Sequence, residues 1–491
     1  MNKNELNFKT ELIIPEDYYN SINSETYTIN DISQIKANIN DSDPLIILKG
    51  LVGLKKLYCL EKEKEEPIQI YNDINILFNI LENYPEEFKI ECFKCLSFIE
   101  SINYQIKEAI VNEPTDKVIQ IIFYILDFPK EVKMNLLLEN LDYIKFLTKN
   151  KNFVDILGVN KIYTKIKYLV EKEYPQDTNI IQLFLEILLN LVITDEQIIK
   201  DEQIFLDLIP LLNDFINKFE SVQNILHHSL KIIFQITNNS GNNQDNSDMD
   251  DKILNKLIEI KLYQKLIDKI DKFDKNEKDI IYCCLRIIGN FAAMDNSYYT
   301  DIIIEYKFLD ILKKLILKNQ SFEIRREATW ILSNIAAGTN QQLTKLYEKN
   351  FQNILFDIIL NEEESKIKIN CLWCLYNFSN INNPEYLDIL VEKGFIDIII
   401  KRFKIDKGDT LCCSLEALNK ILSDGKKKDP AHFNIINAKV NELNILNELK
   451  GLLKEFQEGI IKDKITPILN TYFDIVDIDE FLNHDEQVNG D

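Results

Sequence analysis

Two stretches of this chain decide its fold: REATWILSNIAAG, residues 326–338, and KINCLWCLYNFSN, residues 368–380. Alignment of the two brings Trp330 opposite Trp373 and Asn334 opposite Asn377, each pair 43 residues apart. Within each stretch the apolar residues recur every three or four positions, which is the period of a helix with one buried face. The two stretches therefore predict a helical unit that repeats along the chain.

The same register extends in both directions. CCLRIIGNFAAMD, residues 283–295, brings Arg286 and Asn290 to the Trp and Asn positions, and CCSLEALNKILSDG, residues 412–425, brings Glu416 and Lys420 there. Weaker matches carry the register towards the N-terminus through the pairs Lys94 and Phe98, Leu136 and Asn140, Glu186 and Asn190, and Lys231 and Gln235. A period of about 40–47 residues is typical of helical solenoids, whose repeats bury their apolar faces by stacking.

Composition favours the same class of fold. The chain has 491 residues, of which 46% are hydrophobic, and it contains only 12 Gly and 11 Pro, few for a fold rich in turns. The net charge of −22 argues against nucleic acid as a partner and favours a basic one. The longest apolar stretch, near residues 180–193, is too short to span a membrane, and no secretory signal is expected.

Enzymatic and metal-binding motifs are missing from the sequence. The two CxxC spacings, Cys92–Cys95 and Cys371–Cys374, lie in helical stretches without nearby histidines, so we interpret them as small buried helix residues rather than a metal or redox site. No phosphate-binding, zinc-hydrolase or nucleophile motif occurs. We therefore expect neither catalysis, nor a cofactor, nor a bound metal.

The repeat register also predicts the organisation of the chain. Residues 1–42 are polar and are expected to form an N-terminal arm, and residues 43–473 a solenoid of about eight to ten repeats. The polar run at residues 238–251 is expected to be a loop insertion. The acidic residues 474–491 are expected to form a loose tail.

The repeats resemble armadillo repeats, and the series resembles that of importin-α, an adaptor for proteins that carry basic nuclear localisation signals. The resemblance is carried by LRIIGNFAAMDN, residues 285–296, REATWILSNIAAGTNQQ, residues 326–342, and CLWCLYNFS, residues 371–379. It implies an all-α, right-handed armadillo superhelix with a concave groove lined by the third helix of each repeat. In such a groove Asn side chains bind a peptide backbone and Trp side chains hold lysine stems.

The resemblance assigns the groove residues of the later repeats. They are Arg286, Asn290, Glu327, Trp330, Asn334, Trp373 and Asn377, with Glu327 as the acceptor of a lysine ammonium group. The tryptophans of the family's earlier site are missing, which leaves Asn140 and Asn190 as weaker candidates. Other interpretations stay open: the indoles can be packed between helices, Arg286 can be a structural ion-pair partner, and Glu327 can lie on a solvated face.

Two hypotheses of different class follow. The first is an importin-α-like adaptor of the cytoplasm and nucleus that binds Lys/Arg-rich segments, with importin-β and an export receptor as further partners. The family's Arg-rich importin-β-binding segment has no counterpart here, because no arginine occurs before Arg286. The second is an armadillo scaffold that assembles a protein complex and carries no cargo; a chaperone for one very basic protein is a more remote alternative.

Overall fold

The structure is a computed structural model. It describes residues 14–61, 74–99, 116–149, 151, 154, 159–194, 202–240, 247–272, 277–317, 320–379, 384–405, 407–427, 430–456 and 458–483. The chain divides into two compact units, Met1–Asn239 and Ser240–Asp491. Each unit is built from α-helices, and the described residues contain no β-strand, so the prediction of an all-α solenoid is confirmed.

The first unit begins with a short helical segment and continues mostly as helix pairs. Its helices are α1 Glu16–Ser24, α2 Ile32–Ile39 preceded by the 3₁₀ turn Ile29–Asp31, α3 Pro44–Glu61, α4 Ile74–Asn83, α5 Glu86–Ile99, α6 Asp116–Asp127, α7 Met134–Leu147, α8 Val159–Tyr168 continued by the π-helical turn Leu169–Glu173, α9 Thr178–Thr194, α10 Glu202–Lys218 and α11 Gln223–Ser240. Helices α3, α5, α7 and α9 contact one another in succession. The core lies between this row and the helices behind it.

The second unit shows the repeat most clearly, as five successive groups of three helices within its described residues. These are α12 Ser247–Glu259, α13 Leu262–Asp271 and α14 Lys278–Ala292; α15 Ser297–Glu305, α16 Phe308–Leu315 and α17 Phe322–Ala336; α18 Asn340–Glu348, α19 Phe351–Asn361 and α20 Ser365–Ser379; α21 Pro384–Glu392, α22 Phe395–Phe403 and α23 Asp409–Lys427; and α24 Pro430–Glu442, α25 Ile445–Glu455 and α26 Ile460–Tyr472. A last short helix, α27, covers Ile478–Asn483. The third helices, α14, α17, α20, α23 and α26, contact one another in succession, so residues at equivalent positions form rows across the repeats.

Helix α17 illustrates how the sequence builds a third helix. Ser321 caps its N-terminus, where the hydroxyl accepts a hydrogen bond from the backbone nitrogen of Ile324. Apolar residues at helical spacing, including Ala328 and Leu332, are fully buried against the neighbouring helices. Trp330 and Asn334 lie one turn apart on the remaining, half-buried face. One face of α17 is therefore buried in the core, and the face that carries Trp330 and Asn334 is partly open to solvent.

The expected N-terminal arm needs correction from Glu16 onward, because helices α1 and α2 pack on the first unit. Ile22, Ile35 and Ile39 are buried. A Cβ atom at Gly50 of α3 would come within 2.7 Å of Ile39, and one at Gly53 within 3.0 Å of Ile35. The two glycines thus let α2 approach α3 closely. Residues 1–13 lie outside the described residues.

The expected loop insertion and tail are also shorter than predicted. Helix α11 continues to Ser240 and helix α12 begins at Ser247, so only residues 241–246 of the predicted loop lie outside the described residues. In the predicted tail, residues 478–483 form helix α27, and the ammonium group of Lys450 lies 4.8 Å from the ring centre of Phe481. This contact ties the helix to α25. Residues 484–491 lie outside the described residues.

The four cysteines of the two CxxC spacings are fully buried free thiols, which confirms their interpretation as helix core residues. Within the described ranges, no group of three or more His, Cys, Asp or Glu side chains is arranged to hold a metal ion. None of the helices in the described part of the chain combines the length and apolar character needed to cross a membrane.

Candidate functional site

An open cleft of about 400 Å³ crosses the third helices of three successive repeats in the second unit. Its walls come from α14, α17 and α20, the helices that carry the Trp and Asn positions predicted from the sequence. The lining residues are Tyr282, Arg286, Arg326, Glu327, Trp330, Lys366, Ile369 and Asn370. Three of these, Arg286, Glu327 and Trp330, were predicted from the sequence, and the structure brings them together.

Trp330 is seated against the preceding repeat. Its half-buried indole approaches the backbone of α14 so closely that a Cβ atom at Gly289 would lie 2.3 Å from ring atom Cζ3. Gly289 therefore fixes where the indole lies, as expected for a glycine that permits close packing. On the ring face, the guanidinium carbon of Arg286 lies 4.7 Å from the ring centre, within the range of a cation–π interaction.

Glu327 is almost completely buried and is shared by two arginines. Arg286 Nη1 donates to Glu327 Oε2 at 2.9 Å, while Arg326 Nη2 and Nε donate to Oε1 at 2.6 and 3.0 Å. The hydrogen bond to Glu327 raises the pKa of the Arg326 guanidinium above its usual value. A buried carboxylate needs such partners, because its desolvation costs several kcal/mol. Removal of one partner from a buried ion pair destabilises the folded state by on the order of 3–5 kcal/mol.

Two expected roles are corrected by this geometry. Glu327 is 3% exposed and already bound by arginines of its own chain, so it is not an open acceptor for a lysine. The face of Trp330 is covered by Arg286, which takes the place predicted for a lysine stem. Arg286 is thus a structural ion-pair partner of Glu327 as well as a cleft residue, in agreement with the alternative considered from the sequence.

Trp373 and Asn377 lie on α20, at the Trp and Asn positions of the next repeat. The indole of Trp373 is 37% exposed, one of the more exposed large hydrophobic side chains in the described residues, and it meets Tyr376 edge-on at 5.7 Å between ring centres. Asn377, Asn334 and Asn290 are all half-buried. The Nδ2 atom of Asn334 is buried and has no hydrogen-bond acceptor among the described residues.

The predictions for the earlier repeats fare differently. Asn140 is fully buried and donates to the carbonyl of Ile122 at 3.3 Å, and Leu136 is a core residue, so neither faces a ligand. Asn190 is half-buried and donates to the carbonyl of Lys145, in the last turn of α7, at 2.9 Å. Its amide thus serves to satisfy a helix end. The side chain of Phe98 lies outside the described residues.

Lys94, at the Trp position of α5, belongs to a charged cluster. It pairs with Glu91 at 3.1 Å and with Glu139 at 3.8 Å, and Glu91 also binds Lys55 at 2.7 Å and the hydroxyl of Tyr19 at 2.5 Å. Burial opposes the ionisation of Glu91, but Lys55 and Lys94 outweigh it and hold the pKa below its usual value. The cluster joins helices α1, α3, α5 and α7.

Five of the cleft residues were not among the predicted site residues: Tyr282, Arg326, Lys366, Ile369 and Asn370. Tyr282, Arg326 and Ile369 each lie four residues before the Trp position of their repeat, one turn towards the helix N-terminus. If the repeat alignment had included the position four residues before the Trp position, it would have found these three residues. Asn370 donates to the carbonyl of Arg326 at 3.3 Å and to the hydroxyl of Thr329 at 3.2 Å, and so links α20 to α17.

Comparison with known proteins bears on the repeats. Residues 296–337, which comprise α15 to α17, match the model of the armadillo/beta-catenin-like repeat. The probable importin subunit alpha-A of Dictyostelium discoideum is 24% identical over 138 residues, which amount to 28% of this chain and 25% of that protein. The match thus spans only about a quarter of the length of this relative.

One solved structure shares the fold of this chain, and a second aligns with part of it. An engineered protein aligns with 91% of this chain and 99% of its own at a TM-score of 0.68 and 15% identity. A designed armadillo repeat protein in complex with the peptide (KR)4 aligns with 55% of this chain and 99% of its own at a TM-score of 0.44 and 22% identity. The chain is thus an α-solenoid by its fold, and residues 296–337 within it match one armadillo-type repeat.

Proposed function

We propose that this chain is a protein-binding adaptor or scaffold whose second unit holds an extended segment of a partner protein across its third helices. The observation that carries the proposal is the cleft itself, which runs over three successive repeats on helices α14, α17 and α20. An extended chain advances by about 3.3 Å per residue and can therefore contact several repeats in turn.

The side chains beside the cleft suit recognition of a peptide backbone. A carboxamide both donates and accepts hydrogen bonds, so Asn334 and Asn377 can bind backbone groups whatever the peptide sequence is. The buried Nδ2 atom of Asn334 has no acceptor among the described residues, and because an unsatisfied buried donor costs about 1–3 kcal/mol, a peptide carbonyl that bound it would be favoured. Trp373 offers an exposed indole for contact with a peptide side chain.

A second, more specific candidate is nuclear import of proteins with basic localisation signals. It is supported by the partial similarity to the probable importin subunit alpha-A, together with the Trp373 and Asn377 positions. In this form a lysine of the cargo would lie on Trp373 rather than on Trp330, because Arg286 already covers Trp330. Importin-β and an export receptor would be its further partners, and the cytoplasm and nucleus its locations.

Selection of peptides tests the general proposal. A random dodecapeptide library displayed on phage is selected against the full chain, and the enriched peptides are measured by fluorescence anisotropy. We expect Trp373→Ala to weaken their binding about tenfold or more, as removal of an aromatic contact at an interface does. Tyr298→Ala is the matched control, since Tyr298 is a 52% exposed aromatic residue on α15, outside the third-helix row. Failure to enrich any peptide, or an equal loss in both variants, contradicts the proposal.

The hypothesis of nuclear import has a separate test. A labelled peptide rich in Lys and Arg is titrated into the wild type and into a Trp373→Ala/Asn377→Ala variant, and importin-β is offered in a pull-down. Binding that depends on the two residues supports import. A peptide that binds both proteins equally, at low salt only, reflects the acidic net charge alone and removes the import form.

A further inference from the structure

The cleft is locally basic in an acidic protein. Arg286, Arg326 and Lys366 line it together with a single carboxylate, that of Glu327, which leaves a net charge of +2. The whole chain has a net charge of −22. The positive charge of the cleft is opposite in sign to that of the chain. Because the negative field of the whole protein repels anions, only a local positive charge of this kind would let the cleft bind one.

The geometry disfavours a lysine in this cleft. Glu327 has both carboxylate oxygens engaged, with Oε2 bound by Arg286 at 2.9 Å and Oε1 bound by Arg326 at 2.6 Å. Arg286 also lies over the indole of Trp330. A lysine from a partner would have to displace an arginine from a buried carboxylate and would meet the remaining positive charge.

The same geometry favours an anion. Arg326 uses Nε and Nη2 for Glu327, so its Nη1 hydrogens stand outside that pair, and guanidinium groups bind carboxylate and phosphate well. Lys366 is exposed and has no ion pair within the described part of the chain. It lies in the first turn of α20, where the helix dipole disfavours a cation unless a negative partner is near.

We propose that the cleft binds an anionic side chain of the partner segment, held between Arg326 and Lys366, with an apolar neighbour against Trp330 and Ile369. The anion is a carboxylate of Asp or Glu or the phosphate of a phosphorylated residue. This inference rests on the proposed function and names the class of segment that the adaptor takes. It differs from the lysine-rich ligand expected from the sequence.

The phage selection shows whether the ligand of the cleft is negatively or positively charged. We expect the peptides enriched by the wild-type chain to be rich in Asp and Glu next to apolar residues, even though the protein as a whole repels them. Charge reversal at Lys366→Glu lowers the net charge of the cleft from +2 to 0 and should weaken an enriched acidic peptide about tenfold. Lys366 is exposed, so this change leaves the fold intact, which a thermal midpoint checks.

Lys368→Glu is the matched control, because it makes the same change of charge on the same helix at a residue that does not line the cleft. We expect it to weaken the acidic peptide less than about twofold, as a screened surface charge does. Replacement of the peptide's acid by phosphoserine then distinguishes the two anions: tighter binding identifies a phosphate site and weaker binding a carboxylate site.

Two outcomes overturn the inference. If the enriched peptides are rich in Lys and Arg, or if Lys366→Glu and Lys368→Glu act alike, the cleft is not an anion site, while dependence on Trp373 would still uphold the adaptor. If no peptide is enriched at all, the inference and the proposed function both fail.

Discussion

At the scale of single residues, Trp330 and Trp373 show that equal positions in a repeat can have unequal roles. Trp330 is half-buried, with Gly289 at its edge and Arg286 on its face, whereas Trp373 is 37% exposed. The difference arises one repeat earlier, where a glycine and an arginine on α14 together make a seat for the first indole. A ligand at Trp330 would therefore contact the indole together with Arg286, whereas a ligand at Trp373 would contact the indole alone.

The seat of Trp330 can be tested with a double-mutant cycle. Gly289→Ala places a Cβ atom 2.3 Å from the indole and should destabilise the second unit by about 1–3 kcal/mol, the usual cost of overpacking. In a Trp330→Ala background the contacts with the indole are gone and only that with Ile331, at 3.1 Å, is left, so the same change should cost less than about 1 kcal/mol. Chemical denaturation followed by circular dichroism measures both.

The control for this cycle is Gly451→Ala. Gly451 lies inside α25, and a Cβ atom there would have no neighbour within 4 Å. We expect a gain of about 0.5–1 kcal/mol from the higher helix propensity of alanine. Equal effects of Gly289→Ala in the presence and absence of Trp330 would show that the indole is not the cause.

Glu139 predicts a dependence of stability on pH. Burial raises its pKa to about 7, helped by Asp142 and Glu91, although Lys94 lies 3.8 Å away and acts in the opposite direction. In the unfolded chain a glutamate has a pKa of about 4.3. Between these two values the folded state binds more protons than the unfolded state, so the contribution of Glu139 to stability falls as the pH rises.

Glu139→Gln should therefore stabilise the first unit by about 1–3 kcal/mol at about pH 8 and by almost nothing at about pH 4, after allowance for partial exposure. Thermal midpoints across this range measure the difference from wild type. Glu348→Gln, which removes an exposed carboxylate on α18, is the control for the loss of one negative charge. A Glu139→Gln curve parallel to that of the wild type would contradict the raised pKa.

At the scale of elements, one backbone feature recurs in every three-helix repeat of the second unit. The residue just before the second helix has a positive φ: Lys261 at 55°, Lys307 at 60°, Asn350 at 58°, Gly394 at 87° and Asn444 at 48°. A single left-handed residue reverses the chain between the first and second helices without a longer loop. Only glycine, and to a lesser degree asparagine, adopts this conformation at low cost.

This junction gives an element-scale prediction at Gly394. Replacement by alanine should destabilise the repeat by about 1–2 kcal/mol, because a Cβ atom disfavours a positive φ and would lie 3.3 Å from the carboxylate of Asp397. Gly394→Asn should cost less, because asparagine occupies the same junction at residues 350 and 444. Denaturation midpoints of the two variants give the order, and a larger loss for asparagine than for alanine would contradict the role of backbone conformation.

The helix rows could be predicted from the sequence, whereas the chemistry of the cleft could not. The spacing of Trp330, Trp373 and their asparagines located α17 and α20, because one buried face per helix imposes a visible period. The register carried no information on which charges meet, because one of the two partners of Glu327, Arg286, comes from the neighbouring repeat. Helices α1 and α2 were missed because their few isoleucines make no clear helical period, and the close approach that Ile35 and Ile39 of α2 make depends on Gly53 and Gly50 of α3.

At the scale of the whole molecule, the net charge limits what a binding experiment can mean. With −22 charges, the chain attracts basic peptides without any specific site, and the attraction falls as salt rises. Affinity for a lysine-rich peptide at low salt is thus weak support for import. Affinity for an acidic peptide, against the overall field, would require the local charge of the cleft.

The stability of a solenoid is set by contacts between neighbouring repeats, so damage at one end should fade along the row. Removal of residues 1–40 deletes α1 and α2 and uncovers the face of α3 around Gly50 and Gly53. Loss of the buried Ile22, Ile35 and Ile39 should destabilise this end by on the order of 5 kcal/mol, at about 1.5–3 kcal/mol for each isoleucine. Glu91 also loses the hydroxyl of Tyr19.

Hydrogen exchange followed by mass spectrometry measures how far this damage reaches. We expect the loss of protection to be greatest in α3, smaller in α5 and smallest in α7, because each helix of the row contacts the next. A chain that begins at Ile14 retains α1 and α2 and is the matched control, with protection like that of the full chain. Unchanged protection of α3 in the longer deletion would mean that α1 and α2 contribute little to the stability of the first unit. Equal loss in all three helices would mean that the unit unfolds as one cooperative block rather than repeat by repeat.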